Sequence, residues 1–285
     1  MQGHVEVTPA WRQWLLDALE NGSTPAALLA IMIEHRFNPQ VARDTLIELT
    51  LGPATVSGVP VSTPSYVPDI VRLPPGNVIA TPDRDVRVLV RMSRPVVAVF
   101  DQVLDAEECA QLRELAERRL SRSTVVEPGS GAHRVMDYRT SEGAYLPPGC
   151  EPLVTRLDAR VAALMNWPSE NGEGFQVMRY RGGGEYQPHY DYFVPTDPGS
   201  SLHMAAGGQR VATLILYLND VEAGGETIFP ALNFSYTPRQ GQALYFEYCN
   251  LAGNVDPLTL HGGAPVQRGE KWIATKWMRQ GRYTG

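Results

Sequence analysis

Gln187-Pro188-His189-Tyr190-Asp191-Tyr192 is the stretch that decides the fold. Its histidine and aspartate stand two residues apart, and on an extended strand that spacing sends both side chains off one face. Together they can chelate one ion. Far downstream, His261 precedes Gly262-Gly263, where a returning strand can carry a second imidazole to the same point. Two imidazoles and one carboxylate on one side of a metal leave the remaining positions open for a cosubstrate and dioxygen, the arrangement non-haem Fe(II) oxygenases require. A His-x-Asp pair alone is equally at home on a surface, so the surroundings must decide.

Those surroundings read as strands. Short apolar segments over 175–180, 211–218, 243–248 and 272–277 are separated by turns rich in glycine and proline, and Val86, Val88 and Val90 alternate before the apolar run Val96–Phe100. Two amphipathic helices interrupt them. Asp105, with Glu108 three residues on, forms a capping box, and Leu153, Leu157, Val161 and Leu164 recur at helical spacing. The pattern predicts an α+β chain with a mainly β core, a sandwich or jelly roll with helices packed outside. Lys271 stands ten residues after His261 inside Lys-Trp-Ile-Ala-Thr-Lys-Trp277. A lone strand lysine usually snorkels to the surface, but beside this triad a buried ammonium suits the distal carboxylate of 2-oxoglutarate. Gly182-Gly183-Gly184 lacks the Lys-Ser/Thr continuation of a phosphate loop and reads as a turn, as does Gly224-Gly225.

The N-terminal part differs in character. Residues 1–51 carry apolar positions at helical spacing, Trp11, Trp14, Leu15 and Leu19 and then Leu28, Leu29, Met32 and Ile33, which fits a small unit of three short helices. Proline recurs from Pro53 to Pro82, so residues 52–84 read as a linker or wrapping arm. The oxygenase domain is then expected over 85–285. Hydrophobic residues at 43% and charged residues at 20% are ordinary globular values, and a net charge of −6 gives no general attraction to nucleic acid or to an anionic membrane. Cys109, Cys150 and Cys249 are an odd, scattered set without a CxxC pair. With no signal-like start and no membrane-length apolar run, the expected location is the cytoplasm. Composition leaves the oligomeric state open.

Taken in order, Arg139-Thr-Ser-Glu-Gly143, Gln176-Val-Met-Arg-Tyr180, His189-Tyr-Asp191, Gly224-Gly-Glu-Thr-Ile-Phe-Pro230, and His261 with Lys271 form a set that resembles the prolyl 4-hydroxylase family. The resemblance covers roughly 94–279 and leaves residues 1–85 outside it. It implies a double-stranded β-helix core that uses Fe(II), 2-oxoglutarate and dioxygen, with ascorbate in support, to hydroxylate an unactivated carbon as succinate and carbon dioxide are released. By position, the iron ligands are His189, Asp191 and His261. Tyr180 and Thr213 join Lys271 around 2-oxoglutarate, although a strand tyrosine or threonine is otherwise an ordinary core residue. Arg139, Tyr186 and Trp277 fall where the family holds its substrate, and an arginine beside aromatic walls suits a peptide carbonyl and a proline ring. Asp191 fills the position that related halogenases leave open for chloride, which implies hydroxylation.

The resemblance names a prolyl residue in a peptide or protein as substrate. Tailoring hydroxylases of free or carrier-bound amino acids or small molecules share such a core and differ in loops, and residues 193–209 look like a substrate loop of that kind. Two imidazoles and a carboxylate also make a competent zinc hydrolase site, against which Lys271 and the order of motifs argue. The acidic balance disfavours a nucleic-acid demethylase. An inactive binding module fits poorly with a complete triad. The N-terminal unit either recruits a large substrate or covers apolar surface.

Overall fold

Nine consecutive residues from Lys271 to Arg279 are buried along a single strand, so both of its faces must be covered. Trp272, Ala274 and Met278 join a core with Val154, Leu157 and Val161 of the helix Pro152–Met165 and Leu112 of the helix Ala106–Glu117. Ile273 points the other way, into a second core with Phe229 and Phe246. The two-residue alternation thus sorts this strand between helices on one side and a second sheet on the other. The computed structural model describes residues 7–20, 23, 25–35, 37, 41, 42, 45, 46, 49, 66, 71–123, 125, 126, 133, 134, 140–194 and 197–285.

The larger sheet has nine strands, in the order Val78–Ala80, Asp85–Ser93, Val96–Asp101, Ala243–Glu247, Arg210–Tyr217, Lys271–Arg279, Phe175–Tyr180, Glu142–Leu146 and Ser121–Arg122. Facing its inner core is a four-stranded sheet, ordered Phe234–Tyr236, Thr227–Phe229, His261–Gly263 and Tyr186–His189. Every ladder in both is antiparallel. This is the expected jelly roll, with the predicted strands within a residue or two of their expected ends. The capping box is present as well: Glu108 N–H donates to Asp105 Oδ1 at 2.8 Å and Asp105 N–H to Glu108 Oε2 at 3.1 Å. Glu108 also receives Arg160, which is 1% exposed and pairs with Asp83 in addition.

The chain divides into two compact units, Met1–Thr63 and Pro64–Gly285. In the first, the helices Pro9–Glu20 and Pro25–Glu34 enclose Leu15, Leu28, Met32, Phe37, Ala42 and Leu46. Trp11 meets Phe37 edge-on at 4.8 Å, whereas Trp14 is 42% exposed. Most of the third expected helix falls outside the described residues. So does much of the proline-rich arm, but its last part departs from expectation. Residues 76–81 contain no proline, and Val78–Ala80 pairs with Asp85–Arg87 as the edge strand of the larger sheet. Leu73 and Ile79 are buried in its helix-covered core. The boundary expected at residue 85 therefore cuts through this unit. A chain starting at Asp85 should melt well below one starting at Pro64. It loses Leu73, Ile79 and the Asp83 partner of buried Arg160, together at least about 3–5 kcal/mol. Equal thermal midpoints for the two truncated chains would contradict this account.

Candidate metal and cosubstrate site

The register of the smaller sheet places His261 directly across from His189, so two imidazoles become cross-strand neighbours with ring centroids 4.5 Å apart. Asp191 lies just beyond the end of His189's strand. Its Oδ1 stands 3.6 Å from His189 Nε2 and its Oδ2 3.6 Å from His261 Nε2, and one donor atom from each residue lies within 4.8 Å of the others. His189 Nδ1 sits 2.9 Å from the Gln187 carbonyl and His261 Nδ1 3.0 Å from the Thr259 carbonyl. A carbonyl only accepts, so each Nδ1 carries the proton and each Nε2 offers its lone pair to the shared point. Burial opposes charge on Asp191, but His261, His189 and Arg210 outweigh it and hold the carboxyl far below the usual carboxylate range. Burial pushes His261 down to about 4, with Asp191 pulling the other way. A carboxylate and unprotonated imidazole nitrogens are the forms a divalent cation binds, and the donor set fits Fe(II).

These three residues open onto a cavity of about 520 Å³ that Lys271, Tyr180, Tyr186, Thr227 and Trp277 also line. Lys271 is 3% exposed. Burial lowers its ammonium to about 8, with Glu226 acting in the opposite sense. No carboxylate among the described residues is within ion-pair distance of it. A buried cation that faces a cavity and has no ion-pair partner of its own is the natural partner of an anionic ligand. Tyr180 stands opposite Lys271 in the ladder, its ring centroid 5.8 Å from Nζ. Tyr186 stacks on His189 at 3.6 Å and 18°. Trp277 carries the Arg210 guanidinium on its ring at 3.8 Å, and its Nε1 is buried with no hydrogen-bond partner among the described residues.

Two expected residues stand differently. Thr213 is fully buried and does not line the cavity; its hydroxyl donates to Asp191 Oδ2 at 2.7 Å and lies 3.0 Å from the Tyr248 hydroxyl. The ladder pairs it with Trp277, well along that strand from Lys271, so it supports the metal carboxylate and cannot reach beside the lysine. Arg139 lies outside the described residues. The threonines that do line the cavity are Thr275 and Thr227, and Thr227 Oγ1 receives the Tyr217 hydroxyl at 2.8 Å. The position of Thr227 in Gly-Gly-Glu-Thr carries no residue-type signal that separates it from an ordinary strand threonine. Arg210 and Glu173 were missed too: they face the cavity as an ion pair at 2.7 Å that Arg279 completes. The expected substrate loop contains a short helix, Ser200–Met204, and Phe193, Val194, Asp197 and Ser200 line the cavity.

Comparison with known proteins agrees with this geometry. Residues 175–279 match the family described as the 2OG-Fe(II) oxygenase superfamily. Probable prolyl 4-hydroxylase 3 of Arabidopsis thaliana is 39% identical over 208 residues, 66% of this chain and 71% of that protein. Prolyl 4-hydroxylase 1 of the same plant is 40% identical over 201 residues, covering 65% and 69%. A viral collagen prolyl hydroxylase from Paramecium bursaria Chlorella virus-1, solved as a 2OG complex, superposes with a TM-score of 0.51 at 30% identity, covering 64% of this chain and 95% of its own. The chain belongs to the prolyl 4-hydroxylase family and is a dioxygenase dependent on Fe(II) and 2-oxoglutarate.

Proposed function

We propose that this dioxygenase hydroxylates a prolyl residue held in a peptide or protein. The observation that carries the reading is a single cavity containing both the His189, Asp191 and His261 cluster and the buried ammonium of Lys271, which has no carboxylate within ion-pair distance among the described residues. The names of the relatives supply the proline. Tyr186, Tyr190 and Trp277 line the same cavity with flat apolar surfaces of the kind a pyrrolidine ring packs against.

In this reading His189, Asp191 and His261 hold the iron, and Thr213 fixes the orientation of Asp191. Iron held there supplies the activation of dioxygen, coupled to conversion of 2-oxoglutarate into succinate and carbon dioxide. Lys271, with Tyr180 and Thr227 nearby, anchors the far carboxylate of the cosubstrate. Tyr186, Trp277 and Arg139 contact the substrate and orient one C–H bond toward the metal. A location in the cytoplasm belongs to the same proposal. Three free thiols, Cys109 buried among them, accord with reducing surroundings, and cell fractionation tests it.

The test is mass spectrometry of a proline-containing peptide after incubation with enzyme, Fe(II), 2-oxoglutarate and oxygen. One added oxygen on proline, matched by one succinate, is expected. Hydroxylation of free amino acids with none of the peptide would move the assignment to a tailoring hydroxylase.

A further inference from the structure

We propose that Asp256 is a positioning residue for the metal centre, building the turn whose Thr259 carbonyl orients His261. The inference rests on the reading of His189, Asp191 and His261 as iron ligands. Asp256 does not itself line the cavity but is 2% exposed, an unusual place for a carboxylate with no cation within ion-pair distance among the described residues. Its hydrogen bonds account for the burial. Oδ1 accepts the Leu258 N–H at 3.0 Å and so caps the short turn Pro257–Thr259. Its main-chain carbonyl accepts the Thr259 hydroxyl at 2.7 Å and the Thr259 N–H at 3.2 Å, while its own N–H donates to the Tyr248 carbonyl at 2.8 Å.

Thr259 is thereby held from its backbone and its side chain at once, and its carbonyl is the acceptor that fixes the His261 Nδ1 proton. The same turn reaches the other ligand segment. Tyr190, the residue between His189 and Asp191, donates its hydroxyl to the Pro257 carbonyl at 3.4 Å. One capped turn therefore sets the ring and tautomer of one histidine and tethers the strand end that bears the other two ligands. Without the cap, the first N–H of the turn loses its acceptor, the Thr259 carbonyl is free to swing, and Nε2 of His261 is no longer aimed.

Cobalt(II) binding to the full-length protein, followed by calorimetry and by its visible absorption bands, tests this. Asp256→Ala should weaken cobalt binding about 10- to 100-fold and shift the bands. Asp256→Asn retains an oxygen that can accept from Leu258, and should stay within about threefold of wild type. A purely structural role would lower the melting temperature of the metal-free protein and leave the cobalt affinity and spectrum of the folded protein unchanged. That result with Asp256→Ala, or an equal loss in Asp256→Asn, overturns the proposal. Cobalt binding that is strong in wild type and unaffected by His261→Ala would instead overturn the ligand assignment on which it rests.

Discussion

Asp191→Asn should leave a folded protein that produces no measurable succinate from 2-oxoglutarate. Asp191 is the joint of the cluster, 3.6 Å from both Nε2 atoms, so removing its charge disturbs the whole donor set. Loss of the several kcal/mol that a correctly held metal contributes corresponds to roughly a thousandfold or more in rate. The amide is chosen because its carbonyl oxygen still accepts the Thr213 hydroxyl, leaving the buried hydrogen bond to Tyr248's neighbour in place. His189→Ala should match it, since that ring is partly exposed and its removal opens little of the core. His261→Ala is less clean. Phe246 and Phe229 pack around its ring at 4.6 and 5.6 Å, so a cavity remains and stability falls with activity. Iron affinity by calorimetry, succinate release and circular dichroism separate binding, turnover and folding. Full turnover in either of the first two variants, or zinc-supported turnover without 2-oxoglutarate, would contradict the site.

What the sequence made legible follows the physical range of each signal. Two-residue and 3.6-residue periodicities are local, so the longer strands of the larger sheet, the helices Ala106–Glu117 and Pro152–Met165 and the Asp105 capping box could be placed from the chain alone. His189 and Asp191 share a face for the same local reason. That His261 meets them depends on a cross-strand register far apart in sequence, and only the motif order pointed to it. Register is also where the reading failed. Thr213 and Lys271 lie on neighbouring strands, but the ladder offsets them, and the threonines that line the cavity are Thr227 and Thr275. Nothing local in the sequence shows that Arg210 and Glu173 pair inside a cavity, because their contact depends on strands brought together by the fold. The edge strand Val78–Ala80 was hidden by the prolines around it; Pro82 sits in the turn of the hairpin it forms, outside the paired residues, where no ladder hydrogen bond is asked of it.

Lys271→Met should raise the KM for 2-oxoglutarate on the order of a hundred- to a thousandfold and, at neutral pH, make the ligand-free protein more stable. Both effects have one cause. Arg179 and Arg210, the other cations nearby, are already paired with Glu142 and Glu173, so the carboxylate of the cosubstrate has no substitute partner. Leaving it buried and unpaired costs about 3–5 kcal/mol. Without the cosubstrate it is the ammonium that lacks a partner. Its value falls from an ordinary 10.5 to about 8 because burial disfavours the charged form. A group whose folded value is depressed in this direction destabilises the fold fully below pH 8, and the penalty fades as pH rises from 8 to 10.5, where the unfolded chain also loses its proton. Methionine has similar volume and no charge, so the ligand-free variant should gain about 1–3 kcal/mol at pH 7 and nothing near pH 10.5. The same titration predicts that the wild-type KM for 2-oxoglutarate rises above pH 8, by about tenfold per unit once the free lysine is neutral, because binding must then restore a proton. In Lys271→Met that dependence should vanish, with iron affinity unchanged. A variant that keeps the wild-type KM, or that is destabilised at pH 7 as an ordinary core substitution would be, removes Lys271 from the cosubstrate pocket.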